Sequence, residues 1–100
     1  MERVITDKAG RRITLRKFGV LEMLRLFKAV GPELSVNRPY MGAAIVASSV
    51  AMIDDVPVPV PVNEAGVEAV MERLGDDGVA AVSAAIKKPP VEQLVAAAGN

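Results

Sequence analysis

The stretch Val4-Ile5-Thr6-Asp7-Lys8-Ala9-Gly10-Arg11-Arg12-Ile13-Thr14-Leu15-Arg16 reads as a β-hairpin. Two β-branched runs, 4–6 and 12–16, flank a segment in which Asp7 can open a turn and Gly10 can take a positive φ. Side chains alternate across a strand, so Ile13 and Leu15 share one face while Arg12, Thr14 and Arg16 share the other. One face is then apolar and one cationic. A lone hairpin is marginal in water and needs a cover over its apolar face. The segment that follows supplies a helix to do this.

That helix runs from about Phe18 to Val30 and is stopped by Gly31-Pro32. At about 100° per residue, Val20, Met23, Leu24, Phe27 and Val30 form the stripe expected to be buried. Phe18 and Leu21 fall on the opposite side among Glu22, Arg25 and Lys28, with Leu26 at the border. Either the hairpin packs over them or they form a partner surface with basic edges. Residues 33–38 read as a loop, and Pro39 opens a second helix over Tyr40–Ile53. It is nearly all apolar and rich in small residues, which places it at the centre of one domain or of an oligomer.

Asp54-Asp55 leads into Val56-Pro57-Val58-Pro59-Val60-Pro61-Val62, where proline at every second position forbids a helix. The segment is a stiff linker or a one-sided edge strand with valines on one face and prolines on the other. Asn63 then caps a helix reaching Leu74, with Val67, Val70, Met71 and Leu74 inward and Gly75 ending it. Glu64, Glu68, Glu72 and Asp76 make an acidic ridge, either solvated or facing a basic partner. A further helix over about 78–88 carries Val79, Val82 and Ile86, and Pro89-Pro90 stops it. A short last helix is expected over Val91–Ala98.

The fold expected is therefore α+β and mostly α: an N-terminal β-hairpin, with or without the Pro-Val edge strand, packed on a bundle of about four helices. It is a single domain over 1–100, divided into the hairpin (1–17), two apolar helices (18–53), the Pro-Val segment (54–62) and C-terminal helices (63–100). Charges at Glu2, Arg3, Asp7 and Lys8 stand where a signal peptide needs its apolar core, and no run is long enough for a membrane span.

The chain has 100 residues, 51% of them hydrophobic, with no His, Cys or Trp. Missing imidazole and thiol remove the commonest base, nucleophile and zinc ligands. No phosphate-binding glycine loop occurs, and Asp54-Asp55 and Asp76-Asp77 fit turn and cap roles better than a metal site. The expectation is a non-enzyme with no catalytic residue, metal or cofactor. Zero net charge hides two halves: residues 1–40 hold nine basic and four acidic side chains, whereas residues 41–100 hold three and eight, giving +5 and −5. This polarity suits an anionic partner at the front, association between copies, or compensation within one fold.

Two resemblances give functions. Asp7-Lys8-Ala9-Gly10-Arg11-Arg12-Ile13 loosely resembles the start of AbrB-type swapped-hairpin transcription factors, which lay a basic β-layer on DNA. Here Thr14-Leu15-Arg16-Lys17-Phe18 replaces that family's Ile-Pro step, and the acidic second half would repel phosphate. Over residues 3–62, the hairpin, the helix ending Ala29-Val30-Gly31, Asn37-Arg38-Pro39-Tyr40 and Ile53-Asp54-Asp55-Val56-Pro57-Val58-Pro59 together resemble a tail assembly chaperone of a tailed bacteriophage. Asp55 stands where that pattern has Gly.

The second resemblance implies a host-cytoplasmic protein that binds the tape measure protein, keeps it soluble and helps tail tube protein polymerise around it, and is absent from the mature virion. Such a protein works as a homo-oligomer or alone, contacts neither membrane nor nucleic acid, and is often made in two lengths by frameshifting. A structural tail or connector subunit is the remaining alternative. The resemblance assigns no site residue. From the helical wheel and strand alternation, the partner-contact candidates are Phe18, Leu21, Arg25 and Lys28, with Arg12 and Arg16 as a second cationic face.

Overall fold

A computed structural model describes residues 3–86. The hairpin forms: β1 (Arg3–Thr6) pairs antiparallel with β2 (Arg12–Leu15), setting Ile5 opposite Ile13 and Val4 opposite Thr14. The turn closes through the Gly10 N–H, which donates to the Asp7 carbonyl at 3.0 Å with Gly10 at φ 87°. The Asp7 carboxylate is buried and accepts from the Arg11 backbone N–H at 2.9 Å and from Arg11 Nε at 2.8 Å. Burial pushes this carboxyl's pKa up, but the Arg11 N–H, the Arg11 side chain and the Ala9 N–H together outweigh burial and hold it below the usual carboxylate value.

Two more strands extend the sheet in the order β1-β2-β3-β4, all antiparallel. The second helix was expected to reach Ile53; instead α2 ends at Ser49 and the chain passes directly into β3 (Val50–Ile53). Pairing with β2 decides this. Ile53 lies opposite Ile13, the Arg16 N–H donates to the Ser49 carbonyl at 2.8 Å, and the Asp54 N–H donates to the Arg12 carbonyl at 2.7 Å. Strand β4 (Val56–Pro57) shows that the Pro-Val segment does begin as an edge strand, although it pairs with β3 and covers two residues. Its valines do not share a buried face. Val58 is buried and donates its N–H to the Ala51 carbonyl at 2.9 Å, whereas Val56, Val60 and Val62 are exposed. The β3–β4 connection is Asp54-Asp55, both at positive φ (48° and 67°), the two-residue geometry that matches strand twist.

Three helices accompany the sheet among the described residues, not about four, and they do not make the expected bundle. Helix α1 (Val20–Leu34) continues past its expected stop, with a kink at Gly31. Helix α2 (Arg38–Ser49) starts as expected beside Pro39, its Asn37 cap accepting the Tyr40 N–H at 3.1 Å. Helix α3 (Glu64–Ile86) joins the two helices expected on either side of Gly75, where φ is 66°. Asn63 caps it, Oδ1 accepting the Gly66 N–H at 2.9 Å. The expected end of this run at Lys87-Lys88, its Pro89-Pro90 stop and the Val91–Ala98 helix lie outside the described residues.

The core gathers Ile13, Leu15, Val50 and Ile53 from the sheet, Met41, Ala44 and Ala47 from α2, and Val67, Val70, Leu74 and Val82 from α3. Helix α2 packs along α3 and α1 packs on α2, while α3 reaches β1 and β2. Arg11 ties these layers together. Its Nη1 donates to the Arg73 carbonyl at 2.9 Å and its Nη2 to the Leu74 carbonyl, two acceptors at the helix break. At Gly78 a Cβ would lie 3.0 Å from Leu74 Cβ and 3.0 Å from Arg11 Nη2, so this position is kept without a side chain.

Two outcomes follow from the turns. Asp55→Gly removes an L-residue from the left-handed region and gives up only an exposed ion pair to Arg12, so it should stabilise the fold by about 1 kcal/mol in urea unfolding. The depressed Asp7 pKa contributes stability that is complete above the unfolded value of about 3.9 and is lost as pH falls through the lower folded value. Asp7→Asn should therefore melt below wild type at pH 7, and the gap should narrow below about pH 4.

Candidate functional site

Seven large apolar side chains crowd α1 between Val20 and Val30: Val20, Leu21, Met23, Leu24, Leu26, Phe27 and Val30. At about 100° per residue, those from Leu26 through Val30, Met23, Phe27 and Val20 to Leu24 span an arc of about 160°, wider than the usual stripe. The fold covers one side of it. Leu26 and Val30 are buried and Met23 is packed against the core. Val20 is 81% exposed, Leu24 58%, Leu21 54% and Phe27 41%. The expected buried stripe is thus rotated: Val20, Leu24 and Phe27 face outward and Leu26 takes the inward place. The reason is that α1 rests on α2 with its Leu26 edge, where Phe18 also packs.

Exposed Lys28 and Arg25 border this strip on the Leu21 side, as the wheel places them, and neither makes an ion pair among the described residues. Of the sequence-derived candidates, Leu21, Arg25 and Lys28 therefore lie together on one exposed surface. Phe18 does not; it is half-buried at the core's edge. Beside it lies a cavity of about 70 Å³ reached by Phe18, Leu26, Val60 and Pro61, with Arg16 and Arg25 also on its wall. The Ser48 hydroxyl lines it without a hydrogen-bond partner among the described residues, and the volume is that of about two waters at about 30 Å³ each.

Arg16 and Arg12, expected as a second cationic face, both have partners within the chain. Arg16 Nη2 donates to the Val50 carbonyl at 2.7 Å and to the Val58 carbonyl at 2.6 Å, clamping the Pro-Val segment to the sheet. Arg12 Nη2 pairs with Asp55 at 2.6 Å, and its N–H donates to Asp54 Oδ1 at 2.8 Å. Arg3 donates to the Ala85 carbonyl at 2.6 Å. Alternation identified which residues share a strand face but not the backbone acceptors that a third and fourth strand bring beside them.

A shallow groove lies between α2 and α3 with Pro39 at the N-terminal end of its α2 wall, and Tyr40 follows Pro39 in the chain. Partial burial pushes the Tyr40 hydroxyl's pKa up, and the Glu64 and Glu68 carboxylates push it the same way. No cluster of three or more acidic side chains suited to a metal ion occurs among the described residues, and no described helix is long and apolar enough to cross a membrane.

The fold is thus a small α+β domain carrying a four-stranded antiparallel sheet, with an outward apolar strip on its first helix. Compared with known protein families, curated proteins and solved structures, the chain matches none. The division of the arginines is open to test. Arg16→Met leaves two carbonyls without a charged donor and should cost about 2 kcal/mol of unfolding free energy, whereas Arg25→Met and Lys28→Met should each change it by less than about 0.5 kcal/mol.

Proposed function

We propose that this chain is a tail assembly chaperone of a tailed bacteriophage, which binds the tape measure protein through the exposed strip of α1 and keeps that client soluble while tail tube protein assembles around it. The observation that carries the reading is the unpartnered run Val20, Leu21, Leu24 and Phe27 with Arg25 and Lys28 at its border. Large apolar side chains that a small fold leaves in water are what a holding protein offers an amphipathic helix, and rim charges set the register. The order of hairpin, leucine-rich helix and Ile53-Asp54-Asp55-Val56-Pro57 supports the same family. In this role the protein acts without catalysis, in the host cytoplasm, and leaves before the virion matures.

The DNA-binding alternative is the less favoured reading. Arg3, Arg11, Arg12 and Arg16, which would form a basic β-layer, all donate to groups within the chain.

Co-expression with the long helical tape measure protein of the same genome tests the proposal. Wild type should hold the client in the soluble fraction and co-purify with it. Leu21→Glu combined with Leu24→Glu should keep the monomer's circular dichroism and melting temperature but reduce recovery at least about tenfold, since charge replaces buried apolar contact. Undiminished co-purification by that double variant would overturn the assignment of the strip. Stoichiometric copies of the chain in purified virions would instead make it a structural tail subunit.

A further inference from the structure

The cavity beside Phe18 holds polar groups that the fold leaves unused. Ser48 is 4% exposed, and its hydroxyl has no hydrogen-bond partner among the described residues. A helical serine can turn its hydroxyl back to the carbonyl four residues earlier, as Ser49 does to Ile45 at 2.7 Å. Ser48 does not, and its hydroxyl lies at the cavity wall instead. A buried hydroxyl left unpaired is costly, so a ligand that accepts its proton gains by doing so.

Charge selects among acceptors. Arg16 and Arg25 both reach this wall, and Glu22 is the one carboxylate among the lining residues. Glu22 is engaged in capping: its Oε2 accepts the Gly19 N–H at 3.2 Å, and it pairs with neither arginine. The acceptors that Arg16 holds are neutral carbonyls, which leave its charge uncompensated. Two positive charges therefore face one negative, and α1 begins at Val20, so the positive end of its dipole adds to the same side. The rest of the wall is apolar, formed by Phe18, Leu26, Val60 and Pro61. An apolar cavity of about 150 Å³ takes the six carbons of benzene, so about 70 Å³ has room for about three heavy atoms, as many as a carboxylate has.

We infer that this cavity is a socket for a carboxylate on a short apolar stem, filled by a glutamate side chain of the bound client helix. The carboxylate accepts from the Ser48 hydroxyl and the Arg25 guanidinium, Arg16 adds charge, and the stem's methylenes lie against the apolar wall. Position favours the client as the source. Leu21 stands one turn before Arg25 on α1, so the socket adjoins the Leu21 edge of the exposed strip. A helix lying on the strip brings its own side chains to that edge. The choice of the client as source rests on the reading given above; the carboxylate chemistry of the socket does not.

Propionate, which is the glutamate side chain without its backbone, probes the socket on the full chain without client. Backbone amide shifts are followed by nuclear magnetic resonance at fixed ionic strength. The amides of Phe18, Ser48 and Val60 should shift saturably with a dissociation constant of about 10 mM, and neutral propionamide should bind at least about tenfold more weakly. Ser48→Ala and Arg25→Met should each fold as wild type does and each weaken propionate at least about threefold. No saturation by about 100 mM, an equal response to propionamide, or unchanged affinity in both variants would overturn the socket and leave a hollow that holds water alone. For the source, Ser48→Ala combined with Arg25→Met should lower recovery of the co-expressed tape measure protein at least about fivefold at an unchanged melting temperature. Propionate binding with undiminished recovery would overturn the client glutamate and leave a site for a free carboxylate. If wild type itself recovers no client, the chaperone reading falls and the client source with it, while the propionate titration still decides the socket.

Discussion

Arg11 holds the two halves of this fold together. Its guanidinium lies between the buried Asp7 carboxylate and the carbonyls of Arg73 and Leu74, which the break at Gly75 turns out of the α3 ladder. A helix end leaves carbonyls unsatisfied, and a cation placed there meets both hydrogen-bonding need and dipole. Asp7 balances the charge and fixes the side chain's direction. The contact requires an empty position at Gly78, because any Cβ there meets the same guanidinium. Sheet and helices are thus registered by one side chain spanning residues far apart in the chain.

A second arginine does comparable work at the other edge. Arg16 gathers the Val50 and Val58 carbonyls and so holds the end of the sheet against the Pro-Val segment. Arg3 and Arg12 also donate within the chain, so the hairpin's arginines are held by the fold, although only Arg12 meets a carboxylate from the second half of the chain. Helix α1 has a different fate. It leans on α2 through Leu26 and Val30, and nothing among the described residues covers its Val20–Phe27 line. The same constraint that makes the sheet compact leaves this helix with more apolar arc than the core accepts.

Much of this was legible in residue order. The hairpin, the Asn63 cap, the helix start beside Pro39, the breaks at Gly31 and Gly75, and the inward Val67, Val70 and Leu74 follow from local chemistry that tertiary contacts did not override. Strand β3 was not legible. Val50-Ala51-Met52-Ile53 closes a run apolar on every side, and only pairing with β2 separates strand from helix there. The face of α1 was misjudged for a related reason: charges at Glu22, Arg25 and Lys28 locate the polar side, but a wide apolar arc leaves open which of its edges is covered. For the candidate site, Leu21, Arg25 and Lys28 were readable from the wheel, whereas Val20, Leu24 and Phe27 were assigned inward. The roles of Arg12 and Arg16 depended on the Asp54-Asp55 carboxylates and on the Val50 and Val58 carbonyls, which strand β3 and its connection to β4 bring beside the hairpin.

The account's central claim is that α1 presents its Val20–Phe27 line to a helical client. Nuclear magnetic resonance tests it most directly, by titrating the labelled protein with a segment of the tape measure protein and following every backbone amide. The account predicts that the largest shifts fall on residues 20–28, with β1 and the Asp54-Asp55 turn unmoved. Shifts confined to the hairpin arginines, or an unchanged α1, would contradict it.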